Sequence, residues 1–300
     1  MLFGDHRIEI IPDTLFKLVG GAMFGVVPRV IWERACPPDE KNRIAMNMNC
    51  VFIETAKEKI LIETGIGEKW TDKQTAMYGI ERERPFAESL RAITGYSTDD
   101  ITIVINTHLH FDHAGGNTLN AECGIRNAES AASTIPHSAL CVPQFKNARY
   151  LVSKSELAHA ESPHERDRAS YLPENWQPMR ETGQLEAMPD NYEIEGIKLM
   201  TERGHSETMQ TWMFTSGGKT LYGAADLIPM KAHVPLPYIA GYDLYPTETL
   251  AFKKRIIPQA VKEGWHLLFY HDVDSPIARL VERNGKIVAV AEANQDAQRH

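Results

Sequence analysis

The run His108-Leu109-His110-Phe111-Asp112-His113 constrains this chain more than any other feature. Four ionisable residues within six positions follow Ile101 to Ile105, a β-branched run suited to a buried strand. Ionisable groups placed at the end of a buried strand are costly unless they have partners. Alternate residues of an extended segment share one side, so His108, His110 and Asp112 can converge. His113 turns in where the chain bends toward Gly115 and Gly116. Imidazole and carboxylate together suit zinc, iron or manganese. The run therefore predicts a metal site at a strand end.

Four further positions share that setting: His205 in Arg203-Gly-His-Ser206, Asp226 in Gly223-Ala-Ala-Asp226, His271 in Phe269-Tyr-His-Asp272, and Glu63 in Glu63-Thr-Gly65. Each has a plainer reading. A lone strand-end histidine is usually a satisfied core or surface residue, Gly-His-Ser can be a turn, and Asp226 can cap a helix. The cluster at His108 to His113 makes the metal reading the better one for all of them. His6, His137, His159, His164, His233, His266 and His300 are expected to be structural or exposed, with His233 the one to reconsider.

Along the chain, Arg7 to Phe16 alternates loosely, and Asn49 to Thr55 with Lys59 to Ile62 reads as a hairpin. Val19 to Val27 is apolar but too glycine-rich for a helix, so a flexible apolar loop is expected. Ala148 to Val152 reads as a strand leading into a helix near Ser155 to Ala160. Ser162 to Met188 is polar and rich in Pro and Glu, which predicts a surface insertion at about 160–190. Ile197 to Thr201 and His266 to Tyr270 read as strands. Hairpins are expected around Ser216-Gly-Gly-Lys219 and Asn284-Gly285. Thr247 to Val261 has helical spacing, with Thr247 as its cap. No repeat or low-complexity linker interrupts this pattern, so residues 1–300 are expected to form one domain.

Composition narrows the function. The formal net charge is −8 and no basic run occurs, which argues against a nucleic-acid surface. A small-molecule substrate fits better. Cys36, Cys50, Cys123 and Cys141 form no close pair and read as free thiols of a reducing compartment. Charges interrupt the N-terminus before any apolar signal region, and no window of 18 apolar residues predicts a membrane span. The expected location is the cytoplasm.

Thr107-His-Leu-His-Phe-Asp-His-Ala-Gly-Gly116, followed in order by His205, Asp226 and His271, resembles the metal signature of the metallo-β-lactamase superfamily over roughly residues 45 to 275. The resemblance implies an α/β (α+β) fold, a four-layer αββα sandwich with a dinuclear site at one edge. It implies His108, His110 and His205 on one ion, Asp112, His113 and His271 on the second, and Asp226 bridging them. Zinc is the first candidate, with iron, manganese and cobalt also suited. Glu63 stands where the family usually has Asp. The zinc β-lactamases proper often lack the carboxylate found here at Asp226, so antibiotic breakdown is not expected.

Within the superfamily, Gly20 to Pro28, Asn147 to Val152, Ser170 to Asn175 and Asp226 to His233 are similar to the quorum-quenching lactonase branch. That branch carries a substrate-clamping Tyr three residues after the bridging Asp, where this chain has Pro229. Tyr238, Tyr242, Tyr245 and His233 in the following loop are candidate replacements, and Met23 with Phe24 could cover an acyl chain.

The resemblance implies catalysis by Asp112 and Asp226. Two divalent ions about 3.5–4 Å apart would supply hydroxide near neutral pH for attack on a carbonyl carbon. Asp112 would shuttle the proton. Two divalent ions, two carboxylates and a hydroxide sum to about +1, which favours a developing anion. Acyl-homoserine-type lactones are the expected substrates. A thioesterase of the glyoxalase II kind, or another carboxylic ester hydrolase, is the alternative, although the former carries a mostly helical C-terminal domain. Redox relatives replace a His of the first run with Glu, and His110 disfavours that reading. A binding protein without turnover is disfavoured because all seven metal positions are filled. No nucleic-acid or membrane partner is expected, and a homodimer is the assembly to test for.

Overall fold

The structure is a computed structural model that describes residues 1–121 and 141–291. The predicted hairpin is present: Asn49–Glu54 pairs antiparallel with Lys59–Ile62, and the apolar faces of both strands are buried. It sits in a seven-stranded sheet with the order Leu2–Phe3, His6–Pro12, Asn49–Glu54, Lys59–Ile62, Ile103–Ile105, Arg149–Ser153 and Leu185–Met188. A second seven-stranded sheet runs Tyr192–Ile194, Ile197–Thr201, Gln210–Ser216, Lys219–Gly223, His266–Leu268, Ile277–Arg283 and Lys286–Ala291. Both faces of the central strands are covered, with Val51, Ile53, Leu61, Val104, Trp212, Leu221 and Leu267 fully buried. Helix Phe86–Thr94 covers the first sheet at His6–Pro12, and Pro246–Glu263 covers the second at Ile277–Arg283. This is the expected αββα layering.

Polar contacts tie the sheets together where the site forms. The Asn49 amide donates to the carbonyls of Tyr270 and Asp272, each at 2.8 Å. Within the second sheet, the Trp212 indole donates to the Tyr270 hydroxyl at 2.7 Å. Among the described residues no helix is long and apolar enough to cross a membrane. Cys36 and Cys50 are free thiols; Cys123, His137 and His300 lie outside the described residues.

Three local expectations are corrected. Gly20–Phe24 is a short helix rather than a loop. A Cβ on Gly20 would meet the Trp32 ring at 2.5 Å, so packing of Trp32 against the backbone overrides glycine's poor helix propensity. The long helix begins at Pro246, with Tyr245 in the cap position; Thr247 is inside the first turn. The polar stretch after Ser162 is not simply a surface insertion. It buries Tyr171, Asn175, Trp176 and Met179 and ends in Leu185–Met188, which pairs parallel with Arg149–Ser153. Its few aromatic and apolar residues point inward while its many charges face water.

Lys253, on the inner side of the long helix, is buried, and its ammonium donates to the carbonyls of Pro235 and Tyr238, each at 2.8 Å. Burial lowers its pKa to about 7, partly offset by Asp243. Lys253→Met keeps the packing volume but strands these carbonyls. The expected cost is about 2–3 kcal/mol, read as a lower urea midpoint with unchanged slope.

Candidate functional site

Parallel strands end on one edge of the molecule. Lys59–Ile62, Ile103–Ile105 and Arg149–Ser153 are mutually parallel, as are Lys219–Gly223 and His266–Leu268. The loops beyond their C-terminal ends carry Glu63, His108 to His113, Asp226 and His271. Ligand sites in sheets of this kind form in the crevice outside those ends. His205 follows Ile197–Thr201, two antiparallel steps from Lys219–Gly223 and so pointing the same way.

The structure brings together all seven residues expected to bind metal. His108, His110 and His205 form one group, and Asp112, His113, Asp226 and His271 the other, with ligand atoms in each group within 4.8 Å of one another. All seven are buried. The closest approaches are His205 Nε2 to His110 Nδ1 at 3.1 Å, and Asp226 Oδ1 to His113 Nε2 and to His271 Nε2, each at 3.2 Å. Asp226 Oδ2 lies 3.5 Å from His205 Nε2, so its carboxylate faces both groups. Ligands about 2.0–2.1 Å from a shared tetrahedral centre would stand about 3.3–3.4 Å apart, which these separations match.

Tautomers support a cation. His205 Nδ1 is 3.0 Å from Asp243 Oδ1, and His271 Nδ1 is 2.9 Å from the Asn47 carbonyl. Those oxygens accept, so the ring protons sit on Nδ1 and both Nε2 lone pairs point into the cluster. His108 Nε2 is buried without a hydrogen-bond partner, and His113 Nε2 faces Asp226 Oδ1 in the cluster. An orphaned atom such as His108 Nε2 is uncommon in a native interior and fits a bound ion.

The site's charges divide. Burial, then neighbouring imidazoles, hold His108 and His110 well below the usual histidine range. Burial also pulls on His113, but Asp226, Glu63 and Asp112 outweigh it and raise its pKa well above normal. Asp226 is held well below the usual carboxylate range because His113, His271 and His205 overcome its burial.

The metallo-beta-lactamase superfamily profile matches residues 45–121, a span that holds Glu63 and His108 to His113. This chain is a metal-dependent hydrolase that carries a metallo-β-lactamase domain. It is similar to the N-acyl homoserine lactonase of Bacillus thuringiensis, at 26% identity over 239 residues, 75% of this chain and 81% of that one. The Bacillus cereus lactonase is 25% identical over 246 residues, 78% of this chain and 84% of that one. A solved probable metal-dependent hydrolase from Staphylococcus aureus superimposes with a TM-score of 0.84 at 27% identity, covering 97% of this chain and 99% of that one. The dizinc quorum-quenching lactonase AidC shares the fold, with a TM-score of 0.74 at 17% identity over 98% of this chain and 96% of that one.

Around its cluster the hydrolase has a supporting layer that sequence reading reaches only in part. Glu63, with a left-handed φ of 64°, accepts from Thr107 N at 3.0 Å and faces His113 Nδ1 at 3.4 Å, so the longer side chain still reaches the ligand. Asp243 orients His205 and is itself held by the Thr249 hydroxyl at 2.6 Å. Glu156 accepts from Leu109 N at 2.7 Å and from the Thr208 hydroxyl, fixing the ligand run from behind. Neither carboxylate has a local sequence signal, because each meets its partner only through the fold. Asp243→Asn in the hydrolase is expected to loosen metal binding about 10–100-fold, measured by competition with a chromogenic chelator. Unchanged affinity would mean that Asp243 does not set the His205 tautomer.

The cluster floors a cavity of about 240 Å³. Leu18, Met23, Met46 and Phe111 form apolar walls; Tyr78, Arg166, Ser170 and Tyr242 add polar groups. Of the expected substrate contacts, Met23 lines the hydrolase's cleft, whereas Phe24, His233 and Tyr238 do not. Phe24 stacks between Trp32 and His233, with ring centroids 5.2 and 4.7 Å away, and Tyr238 meets its edge. His233 is buried with Nε2 2.8 Å from the Met23 carbonyl, so it supports Met23 from behind. Its pKa is lowered to about 4 by burial. Tyr245 faces away, under the Arg203 guanidinium at 3.6 Å. Tyr242 does line the cleft. Tyr78, from helix Asp72–Tyr78, joins it without any sequence cue. Burial and the charge of Asp112 raise both phenols' pKa, as expected of groups facing that carboxylate.

Proposed function

We propose that this hydrolase opens lactones of the acyl-homoserine type or a related class. His108, His110 and His205 would hold one divalent ion, and Asp112, His113 and His271 a second, with Asp226 available to both and zinc the first candidate. The observation that carries this reading is the joining of seven convergent ligand atoms with an apolar wall of Leu18, Met23, Met46 and Phe111 in one cleft. That combination suits a carbonyl at the floor and an acyl chain along the wall. The Bacillus relatives are named as N-acyl homoserine lactonases.

Bound divalent ions supply Lewis acidity and bring the pKa of water toward neutrality. The chain's own residues do the rest. Asp112, with Oδ2 at 3.7 Å from His271 Nε2, carries a proton from the attacking water to the leaving oxygen. Tyr242 and Tyr78 present phenol donors to substrate oxygens, supplying what Pro229 cannot. Phe111 and Met23 keep water from the acyl side.

The test is a side-by-side assay of the zinc-loaded protein on N-hexanoyl homoserine lactone, a glutathione thioester and a phosphodiester. Lactone opening at a kcat/KM at least about a hundredfold above the others is expected. Faster thioester turnover would replace this reading with a glyoxalase II-like one. Tyr242→Phe is expected to lower lactone kcat/KM about tenfold, the worth of one hydrogen bond.

A further inference from the structure

Arg166 is the one Lys or Arg among the described residues lining the cleft. It stands at the mouth, and its Nη2 donates to the Gly241 carbonyl on the opposite rim. That rim is anchored, because Gly241 N donates to the Ala22 carbonyl at 2.7 Å, so the clasp fixes where the guanidinium sits. A guanidinium has five donors. Among the described residues it makes only this one side-chain bond, so most of the planar fork is open to a ligand. Among the described residues no carboxylate forms an ion pair with it; Asp167, which also lines the cleft, is turned to His159, with Oδ2 2.8 Å from His159 Nε2. A chain of net charge −8 thus places one positive group at the cleft mouth, away from the ligand cluster on its floor.

We infer that Arg166 is a specificity-determining residue selecting substrates with an anionic group, a carboxylate in the first instance, at the end remote from the scissile carbonyl. The inference rests on the lactonase reading and sharpens its substrate class. A purely hydrocarbon acyl chain would leave the fork of Arg166 unused beside an apolar wall. A carboxylate would engage it in the paired geometry that guanidinium favours.

The experiment compares N-succinyl-, N-glutaryl- and N-adipoyl-homoserine lactones with their methyl esters, using zinc-loaded wild type and Arg166→Gln. In wild type, at least one free acid is expected to exceed its ester by about tenfold or more in kcat/KM, through KM. In Arg166→Gln the two converge while the ester rate stays within about twofold of wild type. Ester preference in wild type overturns the inference. So does an acid preference that survives the substitution, or an equal loss for both substrates, which would make Arg166 a clasp only. Failure of the lactonase reading shows separately, as no turnover of any lactone. Calorimetry then decides, using ring-opened N-glutaryl- and N-pentanoyl-homoserine. About tenfold weaker binding of the former alone to Arg166→Gln supports the inference, and equal affinities overturn it.

Discussion

Asp226→Asn is expected to lower lactone hydrolysis by about a thousandfold or more. The carboxylate stands within 3.5 Å of three imidazoles drawn from three different loops. Asn keeps the shape and removes one negative charge and one acceptor atom. The charge is what lets two cations share a site: without it their mutual repulsion is unscreened at close range in a buried pocket. A loss of several kcal/mol in transition-state stabilisation corresponds to about three decades in rate. Kinetics and total metal content should be measured on the same preparation. Activity within about tenfold of wild type at full metal occupancy would remove Asp226 from the role assigned to it.

Chelation is expected to have the second large effect. An ion that binds only the folded chain stabilises it by about 4 kcal/mol at a thousand times its Kd. For a chain of this size that is about 8 °C in Tm. The gap should depend on pH, with a defined sign. In the ion-free site, burial opposes protonation of His113, His205 and His271, yet Asp226 and its neighbours raise all three pKa values. A histidine with a raised folded pKa contributes its full stability below the unfolded value of about 6.5 and loses it as pH rises through the folded value. The chelated protein therefore weakens with rising pH. Metal binding strengthens over the same interval, because protons no longer compete for the nitrogens. The difference in Tm between loaded and chelated protein should widen from pH 6 to pH 8. A constant or shrinking difference would mean that the ion binds away from these imidazoles.

The floor of the site was legible in the sequence and its walls were not. Four ligands share one short run, and His205, Asp226 and His271 each follow an apolar strand, so local pattern sufficed. Tyr78, Arg166 and Tyr242 come from segments roughly eighty residues apart and meet only in the folded chain. Composition misdirects at Ser162 to Met188, where abundant charge conceals inward-facing Tyr171 and Trp176. Glycine propensity misdirects at Gly20, where the Trp32 ring occupies the space of a side chain. Phe24, His233 and Tyr238 carry the right chemistry for substrate contact, but they pack against one another, His233 stacked and Tyr238 edge-on to Phe24, instead of facing the cleft.

The ligand run is held by backbone resting on backbone. A Cβ on Gly115 would meet the Ile66 carbonyl oxygen at 2.2 Å, and one on Gly116 would meet that of Thr64 at 2.1 Å. Neither position can accept a side chain without moving the loop that carries His113. The cleft mouth is joined differently, by reversible bonds such as that from Arg166 to Gly241. Libraries aimed at new substrates should therefore randomise the rim at 78, 166, 170 and 242 and leave the glycine seam alone. The first would redraw what enters, and the second would dismantle the reaction vessel.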